Sequence, residues 1–126
     1  MSQIKKPLTE AELELMSIVW RLGEGTVNEI LANLPKHRKL AYTSVSTILR
    51  ILEQTHVVDT RKEGRGHIYF PRLTKAEYEA STLQNVVSKV FDGAPVALVR
   101  QLLDTTDLSE TDLKEIQKLL NERLDR

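Results

Sequence analysis

One β-hairpin pattern lies in the middle of a chain whose other periodic segments are all helical, and it limits the folds available. It occupies the stretch "VVDTRKEGRGHIYFPRL", which begins at Val57. In its first half, two sets of side chains alternate along a strand: Val58, Thr60 and Lys62 with Asp59, Arg61 and Glu63. The glycine-rich turn "EGRG" follows, and His67–Phe70 returns as the second strand.

Six helices are predicted around this hairpin, and four of their starts are marked by Ser or Thr followed three positions later by an acid. In such a capping box the hydroxyl and the carboxylate bind backbone amides that the first turn leaves unpaired. The four pairs are Thr9–Glu12, Thr26–Glu29, Thr74–Glu77 and Ser109–Asp112. Apolar spacing predicts helices over about residues 9–20, 27–34, 42–55, 75–91, 95–103 and 109–125. In the first helix, the side chains predicted to face inward are those of Leu13, Met16, Val19 and Trp20.

Three helices followed by a hairpin have the order of a winged helix-turn-helix. The predicted fold class is mainly α with a small β-hairpin: a winged helix-turn-helix DNA-binding domain over residues 1–73 and a C-terminal three-helix dimerisation domain over residues 74–126. The last three helices total about fifty residues, too few to bury a sufficient core alone. We expect their apolar stripes to close on a second copy in a two-fold symmetric homodimer. The predicted interface residues are Leu83, Val86, Val87, Val90, Phe91, Val99, Leu102, Leu103, Leu113, Ile116, Leu120 and Leu124.

The third predicted helix carries an unusual polar face. Opposite its apolar stripe of Val45, Ile48, Leu49 and Leu52 it offers short hydroxyls and an arginine, not the Glu and Lys typical of a solvated helix. In a helix-turn-helix this helix enters the major groove, where hydroxyls allow close approach and Arg binds guanine O6 and N7. The predicted base contacts are Thr43, Ser46, Thr47 and Arg50. The alternative is that Thr43 or Ser44 caps the helix and the others are merely solvated.

Basic residues flank this helix, although the chain as a whole is neutral. The 18 Lys and Arg residues balance 18 Asp and Glu residues, but residues 1–73 hold 11 basic and 8 acidic residues, and residues 74–126 hold 7 and 10. Such an asymmetry suggests that the first half meets a polyanion. The predicted contacts to the DNA backbone are Lys36, Arg38, Lys39, Tyr42, Arg61, Lys62 and Arg65.

Several classes of protein are disfavoured by what the sequence lacks. Cysteine is absent, which removes disulfides and thiolate chemistry. His37, His56 and His67 have no metal-ligand spacing, and no catalytic or nucleotide-binding motif occurs. We therefore expect no metal site, no cofactor and no enzymatic activity. No apolar run reaches the roughly 18 residues of a membrane helix and no signal-peptide pattern is found, so we expect a cytoplasmic location without membrane insertion.

Five stretches resemble the penicillinase-repressor family of bacterial winged-helix regulators, which includes methicillin-resistance and copper-transport repressors. They are "ELELMSIVW", "VNEIL", "LAYTSVSTILRILEQTHVV", "GRGHIYFPRL" and "FDGAPVALVRQLL". The resemblance implies a dimeric repressor on a palindromic operator, with base contacts from the third helix and backbone contacts from the wing. On this chain those roles fall to Tyr42, Thr43, Ser46, Thr47, Arg50 and Arg65.

The resemblance also bears on how repression is relieved. The copper-responsive branch binds metal through paired cysteine motifs, and this chain has no cysteine. In the antibiotic-responsive branch a membrane sensor protease cleaves an Asn-Phe bond in the C-terminal domain, and the aligned bond here, a partial match, is Gln101–Leu102. The resemblance thus implies control of β-lactam-resistance or related genes, with proteolysis as the inducing step.

Two other functions stay open at this point. A winged helix can serve as a protein-interaction module without sequence-specific DNA binding, which would explain the zero net charge. A regulator that senses a small molecule in the dimer cleft is a further alternative, although the sequence identifies no apolar concave site.

Overall fold

The structure, a computed structural model, describes residues 7–126. These residues form six helices and one two-stranded antiparallel sheet, which confirms the predicted mainly α class with a small β-hairpin. In chain order the elements are α1 (Glu10–Leu22), α2 (Val27–Ala32), α3 (Tyr42–Gln54), β1 (Val58–Glu63), β2 (Gly66–Pro71), α4 (Lys75–Lys89), α5 (Pro95–Thr105) and α6 (Glu110–Leu124). The chain divides into two compact units, the first ending at Leu83 and the second running from Gln84 to Arg126.

Four helices begin at the capping boxes that the sequence predicts. The Thr9, Thr26 and Ser109 hydroxyls each accept a hydrogen bond from the backbone amide three residues later, and the acid at that position accepts one from the cap amide. Thr74 and Glu77 form the same pair of bonds at the start of α4. Helix starts are therefore encoded locally, by hydrogen bonds within four residues.

The core of the first unit lies where α1, α2, α3 and the hairpin meet. Met16 and Val19 are buried there as predicted, but Leu13, also predicted to face inward, is exposed. Because an α-helix turns about 100° per residue, Leu13 lies on the opposite side of α1 from Leu15 and Ile18. The core residues are Leu15, Met16, Ile18, Val19, Val27, Ile30, Val45, Leu49, Leu52, Val57, Val58, Tyr69, Leu73 and Tyr78.

The start of α4 belongs to this first unit. Trp20 is partly buried, and its indole N–H donates to the Leu73 carbonyl oxygen at 2.9 Å. The Trp20 ring centroid lies 5.7 Å from that of Tyr78, which α4 supplies to the core. The compact unit therefore extends past Leu73, where the predicted DNA-binding domain ends, to Leu83. Where the two functions divide stays a prediction.

The hairpin is held by more than its own strand pairing. Its register runs from Val58 opposite Pro71 to Glu63 opposite Gly66. Gly25, in the turn between α1 and α2, bonds to Tyr69 in both directions, with N···O distances of 2.9 and 2.8 Å. Gly25 thus pairs with β2 on the side away from β1. This stabilises the hairpin, because isolated two-stranded hairpins are only marginally stable.

The second unit leaves most of its apolar side chains exposed. Neither α5 nor α6 has a buried residue. Of the twelve predicted interface residues, eight are exposed and four are partly buried in the single chain. The partly buried ones are Val86, Val87, Phe91 and Ile116. No helix within residues 7–126 is both long and apolar enough to cross a bilayer.

Helix α3 ends in a Schellman motif with histidine where glycine is usual. His56 has φ +65° and donates its amide to the Glu53 carbonyl, and the Val57 amide donates to the Leu52 carbonyl. Because a side chain disfavours this left-handed conformation, we expect His56→Gly to raise the free energy of unfolding by about 1 kcal/mol. Urea denaturation measures it.

The matched control is Gln54→Gly, which places the same residue in the last turn of α3. Glycine inside a helix lowers stability by about 1 kcal/mol. A decrease in stability in both variants would contradict the assignment of strain to His56.

Candidate nucleic-acid interface

Helix α3 buries one apolar stripe in the core and turns a mostly polar face outward, where Ile51 is its one exposed aliphatic side chain. Val45, Leu49 and Leu52 are completely buried. On the opposite side, Thr43, Thr47, Arg50 and Gln54 are exposed. The structure therefore brings three of the four predicted base contacts to one exposed face. The fourth, Ser46, is half-buried and lies toward the flank of the helix.

The capping role weighed for Thr43 and Ser44 is wrong. Ala41 occupies the N-cap position of α3, and no side-chain hydrogen bond caps this helix. The hydroxyls of its first turn are therefore not explained by the need to satisfy helix amides. Tyr42 begins the helix with its side chain half exposed.

One face of the hairpin is turned toward α3. The Thr60 hydroxyl donates to the Glu53 carboxylate at 2.8 Å, which fixes the direction in which Thr60 points. Side chains alternate along a strand, so Lys62 shares this face with Thr60, whereas Arg61 lies on the other. His67 is directly opposite Lys62 in the register. Lys62 and His67 thus extend the polar surface of α3 onto the hairpin of β1 and β2, which is the wing of the winged helix.

Arg61, predicted to contact the DNA backbone, is already paired with a carboxylate. Its guanidinium donates to both carboxylate oxygens of Glu24, at 2.9 and 2.6 Å, and lies 3.6 Å from a Glu63 oxygen. The hydrogen bond from Arg61 lowers the pKa of Glu24, and the same bond raises the pKa of Arg61. The guanidinium also sits 5.9 Å from the centre of the Phe70 ring.

The other predicted backbone contacts differ in whether they have partners. Arg38 is paired with Glu14 of α1, with Nε 2.9 Å from the carboxylate oxygen. Of the predicted backbone contacts, four are exposed cations that take part in none of the ion pairs among residues 7–126: Lys36, Lys39, Lys62 and Arg65. Two of these precede α3, and two lie on the wing. Unpaired positive charge therefore flanks the exposed face of α3.

Tyr69 connects the chemistry of α3 with that of the hairpin. Burial is the largest cause that raises the pKa of its phenol. The negative charge of Glu53 raises that pKa further, whereas the positive charge of Arg50 lowers it. The charge of Arg50 thus acts on a side chain of β2. The Thr60–Glu53 hydrogen bond joins α3 and the hairpin directly.

The sequence is similar to known proteins over nearly its whole length. The sequence profile of the family described as Penicillinase repressor matches residues 8–122. The chain belongs to the penicillinase repressor family. This confirms the resemblance drawn from the sequence motifs.

Two relatives of the family show how far the similarity extends. The Penicillinase repressor of Bacillus licheniformis is 24% identical over 119 residues, which is 94% of this chain and 93% of the relative. The Methicillin resistance regulatory protein MecI of Mammaliicoccus sciuri is 23% identical over 116 residues, 92% of this chain and 94% of the relative.

The fold of part of this chain also matches a solved structure. This is the solution structure of Bacillus licheniformis BlaI in its monomeric form in complex with the blaP half-operator. The match has a TM-score of 0.52 and 28% identity, and it covers 62% of this chain and 94% of that chain. It supports the winged-helix fold of this penicillinase repressor family member.

The Gln101–Leu102 bond, at which the resemblance implies cleavage, lies within α5. Both residues are exposed. The bond is therefore accessible on the surface but held in helical conformation. Residues 7–126 contain no group of three His, Cys, Asp or Glu side chains placed to hold a metal ion.

The predicted contacts leave out two residues of this surface. The helical period places Gln54 on the outer face of α3, and in the structure it is exposed there beside Thr47 and Arg50. His67 was treated as an ordinary strand residue, yet the register sets it opposite Lys62. Counting outward from the two-residue turn Gly64–Arg65 gives that register, so the sequence did contain the information.

The raised pKa of Tyr69 predicts how the free energy of unfolding depends on pH. The folded state holds the phenol proton more tightly than the unfolded state, so the resulting stability is complete below the ordinary value of about 10. It is lost as the pH rises through the folded-state pKa. We expect Tyr69→Phe to remove this part of the alkaline decline in unfolding free energy, measured by urea denaturation at increasing pH.

Tyr42→Phe is the control, because Tyr42 is half exposed on the same side of the molecule. It should retain the alkaline decline of the parent protein. An identical decline in the parent and in Tyr69→Phe would refute the assignment to Tyr69.

Proposed function

We propose that this chain is a transcriptional repressor that binds operator DNA as a homodimer, with α3 in the major groove. One observation carries the proposal: the exposed face of α3, with Thr43, Thr47 and Arg50, is flanked by unpaired cations. Membership of the penicillinase repressor family supports it. So does the solved BlaI structure, which is a complex with a half-operator.

We propose that base recognition falls to Thr43, Ser46, Thr47 and Arg50. The short hydroxyls leave room for the helix backbone to approach the base edges, where they can donate or accept. Arg50 can bind guanine O6 and N7 with two parallel hydrogen bonds. Among residues 7–126 no ion pair involves Arg50, so its guanidinium charge is available to a base.

We propose that the DNA backbone is bound chiefly by unpaired side chains on either side of this face. Lys36 and Lys39 precede α3, Tyr42 begins it, and Lys62 and Arg65 lie on the wing. Each phosphate that such a cation neutralises releases condensed counterions, which makes affinity depend on salt. Arg38 and Arg61 would first have to leave their carboxylate partners.

We propose that the uncovered apolar residues of α4, α5 and α6 form the homodimer interface. Burying one such large side chain fully is worth about 1.5–3 kcal/mol, so the exposed stripes favour association strongly. A two-fold dimer presents two α3 helices to a palindromic operator, one in each half-site.

Relief of repression by a membrane sensor protease acting at Gln101–Leu102 is part of the same proposal, as is control of β-lactam-resistance or related genes. The names of the relatives, Penicillinase repressor and Methicillin resistance regulatory protein, support the control of such genes. Because the bond lies inside α5, cleavage there requires local unwinding of that helix.

The rival function is a winged-helix protein-interaction module, which the zero net charge favours. Fluorescence anisotropy separates the two. Wild-type protein is titrated with a palindromic duplex that it has selected from a random-sequence pool, and with random duplex as the reference. Binding no tighter than to the random duplex would support the rival and reject the repressor.

Two substitutions test the division between base and phosphate contacts. Arg50→Ala should cost about 1–3 kcal/mol on the selected duplex and relax the preference at one base pair. Lys62→Ala should weaken binding to all sequences alike and lower the salt slope by about one. Identical behaviour of both variants on selected and random DNA would contradict this division.

The dimer is tested on α6. Leu120 is exposed in the single chain, so Leu120→Glu should leave folding of the first unit intact. A charge buried in an apolar interface is strongly unfavourable, so we expect the dimer dissociation constant to rise by at least about 100-fold. Sedimentation equilibrium measures it. Thr111→Glu, on the opposite face of the same helix and outside the predicted interface, is the control and should sediment as the parent does.

A further inference from the structure

The pair of Glu24 and Arg61 joins two segments that are far apart in sequence. Glu24 lies in the turn between α1 and α2, and Arg61 is in the middle of β1. The contact is bidentate, with guanidinium nitrogens 2.9 and 2.6 Å from the two carboxylate oxygens. Parallel bonds of this kind fix the relative orientation of the two groups as well as their distance.

A second connection between the same two segments lies beside it. Gly25, the residue after Glu24, exchanges two backbone hydrogen bonds with Tyr69 of β2. The hairpin is therefore attached to the α1–α2 turn once through its backbone and once through the Glu24–Arg61 pair. Phe70, under the Arg61 guanidinium, completes this contact.

The hairpin is held from its opposite face as well. Thr60 donates to Glu53 of α3, so neighbouring residues of β1 bind in opposite directions. Thr60 connects the hairpin to α3, and Arg61 connects it to the turn between α1 and α2. Lys62 follows directly and points to the α3 side, where its ammonium has no ion-pair partner in the described chain.

From this geometry we infer that Arg61 is a positioning residue, which orients the wing by binding Glu24 and does not itself bind a phosphate. The inference rests on the proposed function and deepens it. In the complex with DNA, the wing contacts come from Lys62 and Arg65, and the Glu24–Arg61 pair determines where those two side chains are placed relative to α3.

The inference predicts an effect opposite in sign to simple electrostatics. Glu24→Gln removes a negative charge from a protein that binds a polyanion, and it frees Arg61. If Arg61 were a phosphate contact, this variant would bind DNA more tightly and with a steeper salt dependence. If Arg61 is a positioning residue, the variant binds more weakly, because the wing loses an attachment.

We expect Glu24→Gln and Arg61→Gln each to weaken binding about two- to fivefold, the range of an exposed but bidentate ion pair. The probe is a duplex selected by the wild-type protein from a random-sequence pool, titrated by fluorescence anisotropy between about 50 and 200 mM salt. Both variants should keep the wild-type salt slope. A tighter Glu24→Gln complex, or a slope lowered by about one in Arg61→Gln, would overturn the inference.

Two further variants separate position from charge. Glu63→Gln removes the same charge at 3.6 Å from Arg61, but within the hairpin itself, so it should not weaken binding. The double variant E24R/R61E restores opposite charges at the same places and should recover part of the lost affinity. Loss of affinity in Glu63→Gln equal to that in Glu24→Gln would count against the positioning role.

Hydrogen exchange in the protein without DNA tests the same contact independently of DNA binding. In Glu24→Gln and Arg61→Gln, the Gly25 and Tyr69 amides should exchange faster, whereas those of Val45 and Leu49 in the core of α3 should not. If the wild-type protein selects no duplex, the proposed function fails and this readout decides the inference: unchanged exchange at Gly25 and Tyr69 overturns it.

Discussion

The burial of three side chains on one stripe of α3 determines what this protein can present to a partner. Val45, Leu49 and Leu52 are fully removed from solvent, so the rotation of the helix about its axis is fixed by the core. Everything on the far side, including Thr47 and Arg50, is exposed as a direct result. The wing is placed against this helix by the Thr60–Glu53 hydrogen bond, so its orientation depends on the same packing.

Local signals made most of the fold predictable. The capping boxes marked helix starts correctly because the hydrogen bonds that form them lie within four residues. The hairpin was predictable because alternation and the glycine-rich turn are likewise short-range. Apolar pattern alone was insufficient for α1, where apolar residues occupy more than half of the helix circumference. There the orientation is set by contacts with α3 and the hairpin, which are distant in sequence, and Leu13 was misplaced for that reason.

For the candidate nucleic-acid interface, the types of side chain were predictable from the sequence, but the ion pairs that occupy some of them were not. The hydroxyl and arginine face of α3 follows from the helical period, so Thr43, Thr47 and Arg50 could be grouped from the sequence. Nothing local shows that Arg61 would find Glu24, since 37 positions separate them. The same is true of Arg38 and Glu14. A count of basic residues therefore overestimates the positive charge that is available to a polyanion. The net charge of the whole chain is equally uninformative, because free cations can still lie beside the exposed face of α3.

The exposed face of α3 also contributes little to the architecture. Ala41, not a hydroxyl, is the N-cap, and no described ion pair involves Arg50. Substitutions at surface positions of this kind usually change stability by less than about 0.5 kcal/mol. Under the proposed function, selectivity and foldability are carried by different atoms of one helix. A lineage of such chains could then diversify the outer side chains of α3, and with them the sequences they distinguish, while the scaffold beneath is left unchanged.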